Sequence, residues 1–391
     1  MRSIVLRNSV IGFTAGLLVA AFLLSASSRM RSNLAKRDSI AYWAAGKLLL
    51  QHQDPYDAVG VLRLERSEGY SEAKPLILRT PPWSIFMVAG LGLANAFTAW
   101  TFWIALLLAS LIVSVRLCWR TYGEQRRLPA VFVMAAYLFA PVPACLVAGQ
   151  MGLVLLLGIV LFFWLEQTRP MQAGAALLLP FAKPHLTALF WLILLVWIID
   201  QKKGRIAAGF WLSLTAAICF PLLFDPAIFA HYRRMLVDAA VGHEFIPAFS
   251  GVVRMLFFRK MFWVQLIPLV VGLLWAVYFY RKHRSAWNWR QHGPALLIVS
   301  VVATPYAWLT DEAVVLPAIL QAVMWVYLQR TRLWVRSKLI VGMFIALNAL
   351  LLLILHAKVP FSTGIYFWSS LVWLAWYYYA RSLRRDGQQA M

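Results

Sequence analysis

Acidic residues are scarce in this chain, 15 against 37 Lys and Arg in 391 residues, and charges of either sign make up only 13% of it. A soluble domain usually carries about a quarter charged residues, so this surface is not built to face water throughout. Cysteine is scarcer still: Cys118, Cys145 and Cys219 show neither paired spacing nor a CxxC, which argues against a disulfide framework or a zinc site and leaves them as packing residues. The chain also lacks a Gly-rich phosphate loop, a GxSxG elbow, an HExxH helix and any cluster of His and Cys. Nucleotide hydrolysis, serine hydrolase chemistry and a bound metal are thereby disfavoured, and no cofactor is expected.

What fills the chain is apolar: 62% of residues are hydrophobic and the mean hydropathy is +0.71, against roughly 45 to 50% in a soluble domain. This is the composition of a polytopic membrane protein. A net charge of +22 would point to nucleic acid in a soluble chain. Here Lys and Arg fall in short clusters between apolar runs and read as cytoplasmic topology signals, so no nucleic-acid partner is expected.

Arg2 and Arg7 precede an apolar run at 9–24. Ser-Ala-Ser at 25–27 could pass for a signal-peptidase site, but the many later spans favour an uncleaved first helix with its N-terminus inside. Basic clusters recur at 116–127, 202–205, 281–290, 330–338 and 381–385. If all are cytoplasmic, an even number of crossings separates neighbouring clusters. Apolar pieces at 130–147, 153–165, 171–182 and 186–199 fill the first interval, those at 206–224 and 262–280 the second, and each later interval holds another pair. The stretch 83–115 crosses an odd number of times, most simply as one broken span. About twelve crossings follow, with both termini inside. The expected fold is an all-α polytopic membrane bundle, a single domain over 1–391. It has large extracytoplasmic loops at 28–80 and 225–261 and a cytoplasmic tail at 381–391.

This topology gathers polar sequence on one side: the Asp38 loop, Gly149-Gln150, Lys183-Pro184-His185 and TPYAWLTDE at 304–312. Two pieces leading there, 171–182 and 294–304, hold 12 and 11 residues, about 16 to 18 Å of helix against roughly 30 Å of hydrocarbon. They end below the surface. Backbone that stops inside a membrane lines protein or a wet cavity, which places Lys183 and Tyr306 on such a cavity. An ionisable residue there is a candidate ligand-binding group; snorkelling to the interface is the alternative for Lys183, and a packed or water-bonded ring for His185.

Outward loops also carry most carboxylates. Asp54-Pro55-Tyr56-Asp57 has the composition of a turn, and Glu65, Glu68 and Glu72 at helical spacing read as an exposed face. Asp38 and the Asp311-Glu312 pair sit against apolar sequence. Asp38 opens a run in which Ile40, Trp43, Ala44 and Leu48 recur at helical spacing, so a helix lying along the membrane surface is expected. Spacing alone makes Asp38 either the N-cap of that helix or a catalytic carboxylate, and capping is the commoner use. Arg29, Arg31, Lys36, Arg37 and Arg79 add positive charge at the same mouth, suited to anionic lipid, to a lipid-linked phosphate, or to solubility alone. A membrane-facing reaction without metal or nucleotide remains, and sugar transfer from a lipid phosphate fits it.

The stretches DSIAYWAAGKLLLQHQDPY at 38–56, PPW at 81–83, GQMGLVLLLG at 149–158, FAKPH at 181–185 and TPYAWLTDEAVVLPA at 304–318, in that order, resemble glycosyltransferase family 87. That family groups with the GT-C integral-membrane glycosyltransferases and includes polyprenyl-phosphate-mannose-dependent mannosyltransferases. The resemblance implies a GT-C-type bundle and an inverting, metal-independent transfer from a polyprenyl-phosphate donor. The sugar would be a hexose such as mannose, the acceptor a glycolipid or envelope glycan, and the site the outer face of a bacterial plasma membrane. It also implies that the first-loop Asp, here Asp38, is the general base, which reverses the preference for capping.

The chain departs from the family where mannosyltransferase members carry a His after the Ser/Thr-Pro step. Thr310 and Asp311 stand there instead, with Trp308 retained nearby. The donor sugar therefore stays open, and Lys183, His185 or Arg79 would contact the donor phosphate. Gln150 would bond a sugar hydroxyl, while Tyr42, Trp43, Tyr306, Trp308 and Asp311 would touch sugar or lipid, although aromatics near an interface also serve as anchors. The competing class is a lipid-sugar transporter or flippase, or a non-catalytic partner in envelope assembly. The absence of an inverted repeat and the one-sided polar groups favour the enzyme.

Overall fold

A computed structural model of the chain describes residues 37–123, 128–238, 247–330, 333–359 and 364–389. The expected first span and the charges at Arg2, Arg7, Arg29, Arg31 and Lys36 lie outside these residues. Among the described residues every regular element is helical. The α-helices in order are α1 (Ser39–Leu50), α2 (Ala58–Ser67), α3 (Phe86–Ala89), α4 (Ala96–Tyr122), α5 (Ala130–Leu138) and α6 (Pro141–Ala148). They continue as α7 (Gly152–Leu165), α8 (Pro170–Ala176), α9 (Ala188–Asp200), α10 (Gly204–Leu222), α11 (Ile228–Asp238) and α12 (Phe249–Phe257). The last are α13 (Ile267–His283), α14 (Trp289–Ala303), α15 (Leu316–Gln329), α16 (Trp334–His356) and α17 (Ser369–Gln389).

Five helical stretches among the described residues are long and apolar enough to cross a membrane: α4, α10, the run Phe262–Ala286 around α13, Leu309–Gln329 ending in α15, and α16. The count rises to seven if two bent pairs are each taken as one span. Twelve crossings are not shown: the expected first span lies outside the described residues, α14 and α17 are not among the long apolar stretches, and the four apolar pieces before Lys202 make only two bent pairs and one short helix. The first is the α5–α6 pair, bent by 48° where Pro141 starts α6. The second, α7, has only 14 residues, about 21 Å of helix. The last two form one pair, 170–182 and 184–200, folded by 115°, with Pro180 and Pro184 each opening a short 3-10 turn that ends one hydrogen-bond ladder and starts the next.

Caps fix two other boundaries. Asn95 accepts the Thr98 amide at 2.9 Å and starts α4, which then runs 27 residues without interruption; the break expected within 83–115 falls before it, in the irregular run 82–94. Asn288 accepts the amides of Arg290 and Gln291, so α14 starts earlier than expected and runs 15 residues through Pro294.

The helix after Asp38 does not lie on the surface. Ten of the 12 residues of α1 are buried, because small residues Ala41, Ala44, Ala45 and Gly46 make it apolar around nearly its whole circumference. A Cβ on Gly92 would stand 2.4 Å from the Gly46 carbonyl carbon, so α1 crosses the run 82–94 at backbone contact. The peripheral α2 holds a second correction. Glu65 is buried rather than exposed, and the Leu76 amide donates to both its oxygens at 3.1 and 3.2 Å. Burial pushes its carboxyl up to about 7, against the pull of that amide. The two long loops meet at Tyr56, whose ring lies 5.3 Å from that of Tyr232. His231 Nδ1 lies 2.8 Å from Asp225 and 3.7 Å from Asp54. At the centre, 309–326 is buried along its length.

Candidate active site

Asp38 immediately precedes α1. Its backbone amide donates to the Ala148 carbonyl, at the end of α6, at 3.1 Å. Gly149 follows with φ +70°, in the left-handed region, and a Cβ there would meet Ser39 Cβ at 2.8 Å. Only glycine permits both the turn and the contact. The α6–α7 turn therefore rests on the start of α1, and Gln150 faces Asp38.

A helix-start Asp normally accepts the amides of its own first turn. Asp38 occupies that position with no side-chain capping bond; its Oδ2 instead accepts from Gln150 Nε2. Gln150 Oε1 accepts from the Tyr42 hydroxyl at 3.1 Å and from Lys183 Nζ at 3.3 Å. Lys183 Nζ also donates to Asp311 Oδ1 at 2.7 Å. The other Asp311 oxygen accepts the Trp308 amide at 3.1 Å, which closes the first turn of the run 309–315. Four stretches far apart in sequence thus form one polar chain: Asp38, Gln150, Lys183, Asp311. Its charge is two carboxylates on one ammonium. Burial pushes the Asp38 carboxyl above the usual carboxylate range; Gln150 and Lys183 oppose that shift and Asp311 adds to it.

Beside this chain, the His185 ring stands edge-on to Tyr306 at 5.6 Å, and Tyr306 accepts the Trp308 indole N–H at 3.0 Å. His185 Nε2 is enclosed with no hydrogen-bond partner among the described residues.

Other expected site residues lie elsewhere. Arg79 is exposed, and its carbonyl lies 3.5 Å from the Tyr232 hydroxyl. Trp43 is buried, with its indole N–H on the Ala94 carbonyl at 2.9 Å and Lys47 over its ring, so it packs the run 82–94. Glu312 turns from the cluster toward α17, where Ser369 donates to it at 2.5 Å.

One contributor escapes sequence reasoning, and the contacts of another are not legible in it. Trp103 donates to the Gly149 carbonyl at 2.7 Å and meets the Tyr42 ring edge-on at 5.3 Å; in a chain with 19 Trp it carries no distinguishing signal. Arg37 anchors to the Val147 carbonyl at 2.8 Å and lies over Trp100. Among the described residues one group has metal-ligand geometry. Asp54, Asp225 and His231 bring ligand atoms within 4.8 Å of one another, beyond the far end of α1, about 18 Å of helix from Asp38.

No curated protein and no solved structure matches the chain. The family model of glycosyltransferase family 87 matches residues 80–353. The match takes in Gln150, Lys183, His185 and Asp311 and begins well after Asp38. Together with the long apolar helices it makes the protein a membrane glycosyltransferase. The chain belongs to glycosyltransferase family 87.

Proposed function

We propose that the protein transfers a sugar, a hexose such as mannose, from a polyprenyl-phosphate donor to a glycolipid or envelope glycan, with inversion, without metal, and on the extracytoplasmic face. The observation that carries this reading is Asp38. It stands at a helix start without capping it, and its carboxylate is held by a side chain from another helix. Gln150 occupies one oxygen, which leaves Oδ1 to take the acceptor's proton.

The acceptor hydroxyl loses its proton to Asp38 as its oxygen forms the bond to the anomeric carbon. The bond from that carbon to the donor phosphate breaks on the opposite face, and polyprenyl phosphate leaves with the electron pair. No proton has to reach the leaving group, because a phosphate monoester is stable as an anion. Lys183 and His185 would meet the growing phosphate charge. Charge-assisted bonds of this kind stabilise a transition state by several kcal/mol in a site shielded from water. Lys183 is the one ammonium in the polar chain, and Asp311 holds it in place rather than leaving it to snorkel. Gln150 and Tyr42 orient Asp38, while Tyr306 and Trp308 flank the space beside His185.

The test is transfer of labelled sugar from polyprenyl-phosphate-mannose and related donors to membrane lipid and glycan extracts, comparing wild type with Asp38→Asn. Product from wild type alone, with donor still bound by the variant, is the expected result. Equal product from both removes Asp38 from the chemistry.

A further inference from the structure

Three helices lead away from the polar chain and meet again at their far ends. α9 starts just after His185. α14 ends at Thr304, whose hydroxyl donates to the His185 carbonyl at 3.0 Å, and α13 follows Gln265, whose side-chain amide donates to the Pro305 carbonyl. The three pack against one another, and α9 has 13 residues, about 20 Å of helix. At that far end a cavity of about 460 Å3 opens between Trp197, Gln201, Arg281, Arg284, Ser285 and Trp287. Its volume falls in the range of roughly 300 to 1,000 Å3 that small-ligand sites occupy.

Two basic runs meet at this cavity, KKGR at 202–205 and RKHR at 281–284. Asp200 joins them: it accepts from Tyr280 at 2.8 Å, from Gln201 at 3.0 Å and from two nitrogens of Arg284. The other acid near the runs, Glu166, is buried within electrostatic reach of Lys203 and Arg290, and Lys203 lies over the Trp197 ring at 5.5 Å. Six Lys and Arg in the two runs thus meet two carboxylates, and the excess is positive. Asp200 fixes Arg284 without covering it, since the Arg284 side chain stays 62% exposed against 13% for Asp200. The aromatic walls are fixed as well. Trp197 and Trp287 both pack on the buried Trp289, with ring centroids at 5.5 and 5.4 Å. A topology signal needs only cations on the inner side; it needs neither a cavity nor a rigid aromatic wall. Beside the cavity the same helices expose apolar surface: Ile199 on α9 is 69% exposed and Tyr278 on α13 is 63% exposed. Cations at the edge of such a flank match a ligand with an anionic head and hydrocarbon chains better than a soluble anion.

We propose that this cavity binds the phosphate headgroup of an anionic phospholipid of the inner leaflet, with the acyl chains along Ile199 and Tyr278. Basic pockets between membrane helices on the cytoplasmic side recognise such headgroups by charge. Arg281 and Arg284 hold the phosphate, and Ser285 and Gln201 offer hydrogen bonds to the glycerol. A lipid seated there ties together the ends of α9 and α13, the helices whose other ends adjoin Lys183 and Pro305. The assignment is independent of the transferase chemistry and is tested by binding alone.

Detergent-purified protein is titrated with phosphatidylglycerol, with phosphatidylcholine as the zwitterionic control and glycerol phosphate as the soluble one, and the tightest-bound lipid is followed by native mass spectrometry. Wild type should hold phosphatidylglycerol roughly tenfold or more tighter than phosphatidylcholine. Arg281 is exposed and lies outside the hydrogen bonds that hold Asp200, so Arg281→Glu reverses a charge at the cavity and leaves that network intact. It should weaken phosphatidylglycerol binding by about tenfold or more. Lys338→Glu, the same change at an exposed cation of another basic cluster, should leave binding unaltered. Ser285→Trp fills the cavity at constant charge and should also release the lipid, which keeps the test decisive where charge reversal disturbs membrane insertion. Equal binding of phosphatidylcholine, equal loss in Lys338→Glu, or full binding in Ser285→Trp overturns the assignment. Displacement of the lipid by glycerol phosphate as readily as by phosphatidylglycerol would make the ligand a soluble anion and sink the lipid site.

Discussion

Replacing Gln150 with Leu is the sharpest perturbation of the polar chain, because one side chain joins Asp38, Tyr42 and Lys183. Leu keeps the volume and removes all three bonds. The bond to the Asp38 carboxylate matters most. A hydrogen bond to a charged group contributes about 1.5 to 3 kcal/mol, so kcat/KM at neutral pH should fall about 10- to 150-fold. The loss has a signature that a merely loosened site lacks. Gln150 opposes the upward pull of burial on the Asp38 carboxyl, so without it Asp38 is more often protonated and, if it is the base proposed, idle. The acid limb of the pH–rate profile should therefore move to higher pH, and part of the lost rate should return as pH rises. Rates measured between pH 5 and 9 on detergent-purified protein would decide it, with donor binding measured alongside. A loss of equal size at every pH would show that Gln150 does not act through Asp38 ionisation. An unchanged rate would remove the Asp38–Gln150 contact from the mechanism.

Four further outcomes are expected. Lys183→Met should lower thermal stability strongly, since removing one partner of a buried ion pair commonly costs about 3 to 5 kcal/mol; adding Asp311→Asn to it should recover part of that loss while activity stays absent. Gly149→Ala should abolish transfer at normal expression, because the φ of +70° and the 2.8 Å approach to Ser39 force α1 away; wild-type turnover would refute that placement. The Glu65 carboxyl sits near 7 when folded, above its unfolded value near 4.5, so the native loop binds the extra proton between those values. Its stability is greatest below the unfolded value and declines as pH rises through 7. Amide exchange at Leu76 should accordingly quicken from pH 5 to pH 8 beyond the intrinsic rate, and Glu65→Gln should flatten that excess. Glu312→Gln should keep stability and activity, since the amide oxygen can still accept from Ser369; a folding defect would show that the acid itself is required.

Much of the site is legible in the sequence because polar residues stand out against apolar runs. Gln150, Lys183 and Asp311 each interrupt such a run, and all three converge. Their mutual partners are not legible, since Asp311 could equally have faced a substrate and instead neutralises Lys183. The surface position expected for α1 failed because four apolar positions at helical spacing hid the small residues between them, which let backbone pack on every side. Glu65 failed for the opposite reason: charge at helical spacing reads as solvated, and nothing local announces that the Leu76 amide will return to meet it. The helix count was least legible. Hydropathy sees apolar length, whereas Pro180 and Pro184 decide that two apolar pieces make one hairpin.

That hairpin has a consequence for how the protein is made. Lys183 sits at its tip and is synthesised 128 residues before its counter-ion Asp311. An unpaired ammonium in hydrocarbon is strongly disfavoured, and the arm at 170–182 is too short to span alone. The tip therefore cannot settle at its final depth while the chain is being threaded in. It must wait near the headgroups until Leu309–Gln329 arrives. Assembly of the Lys183–Asp311 pair is thus a late, post-insertion event, and a ribosome stalled before Asp311 would leave a membrane-bound chain with its hairpin still at the surface, open to quality-control proteases.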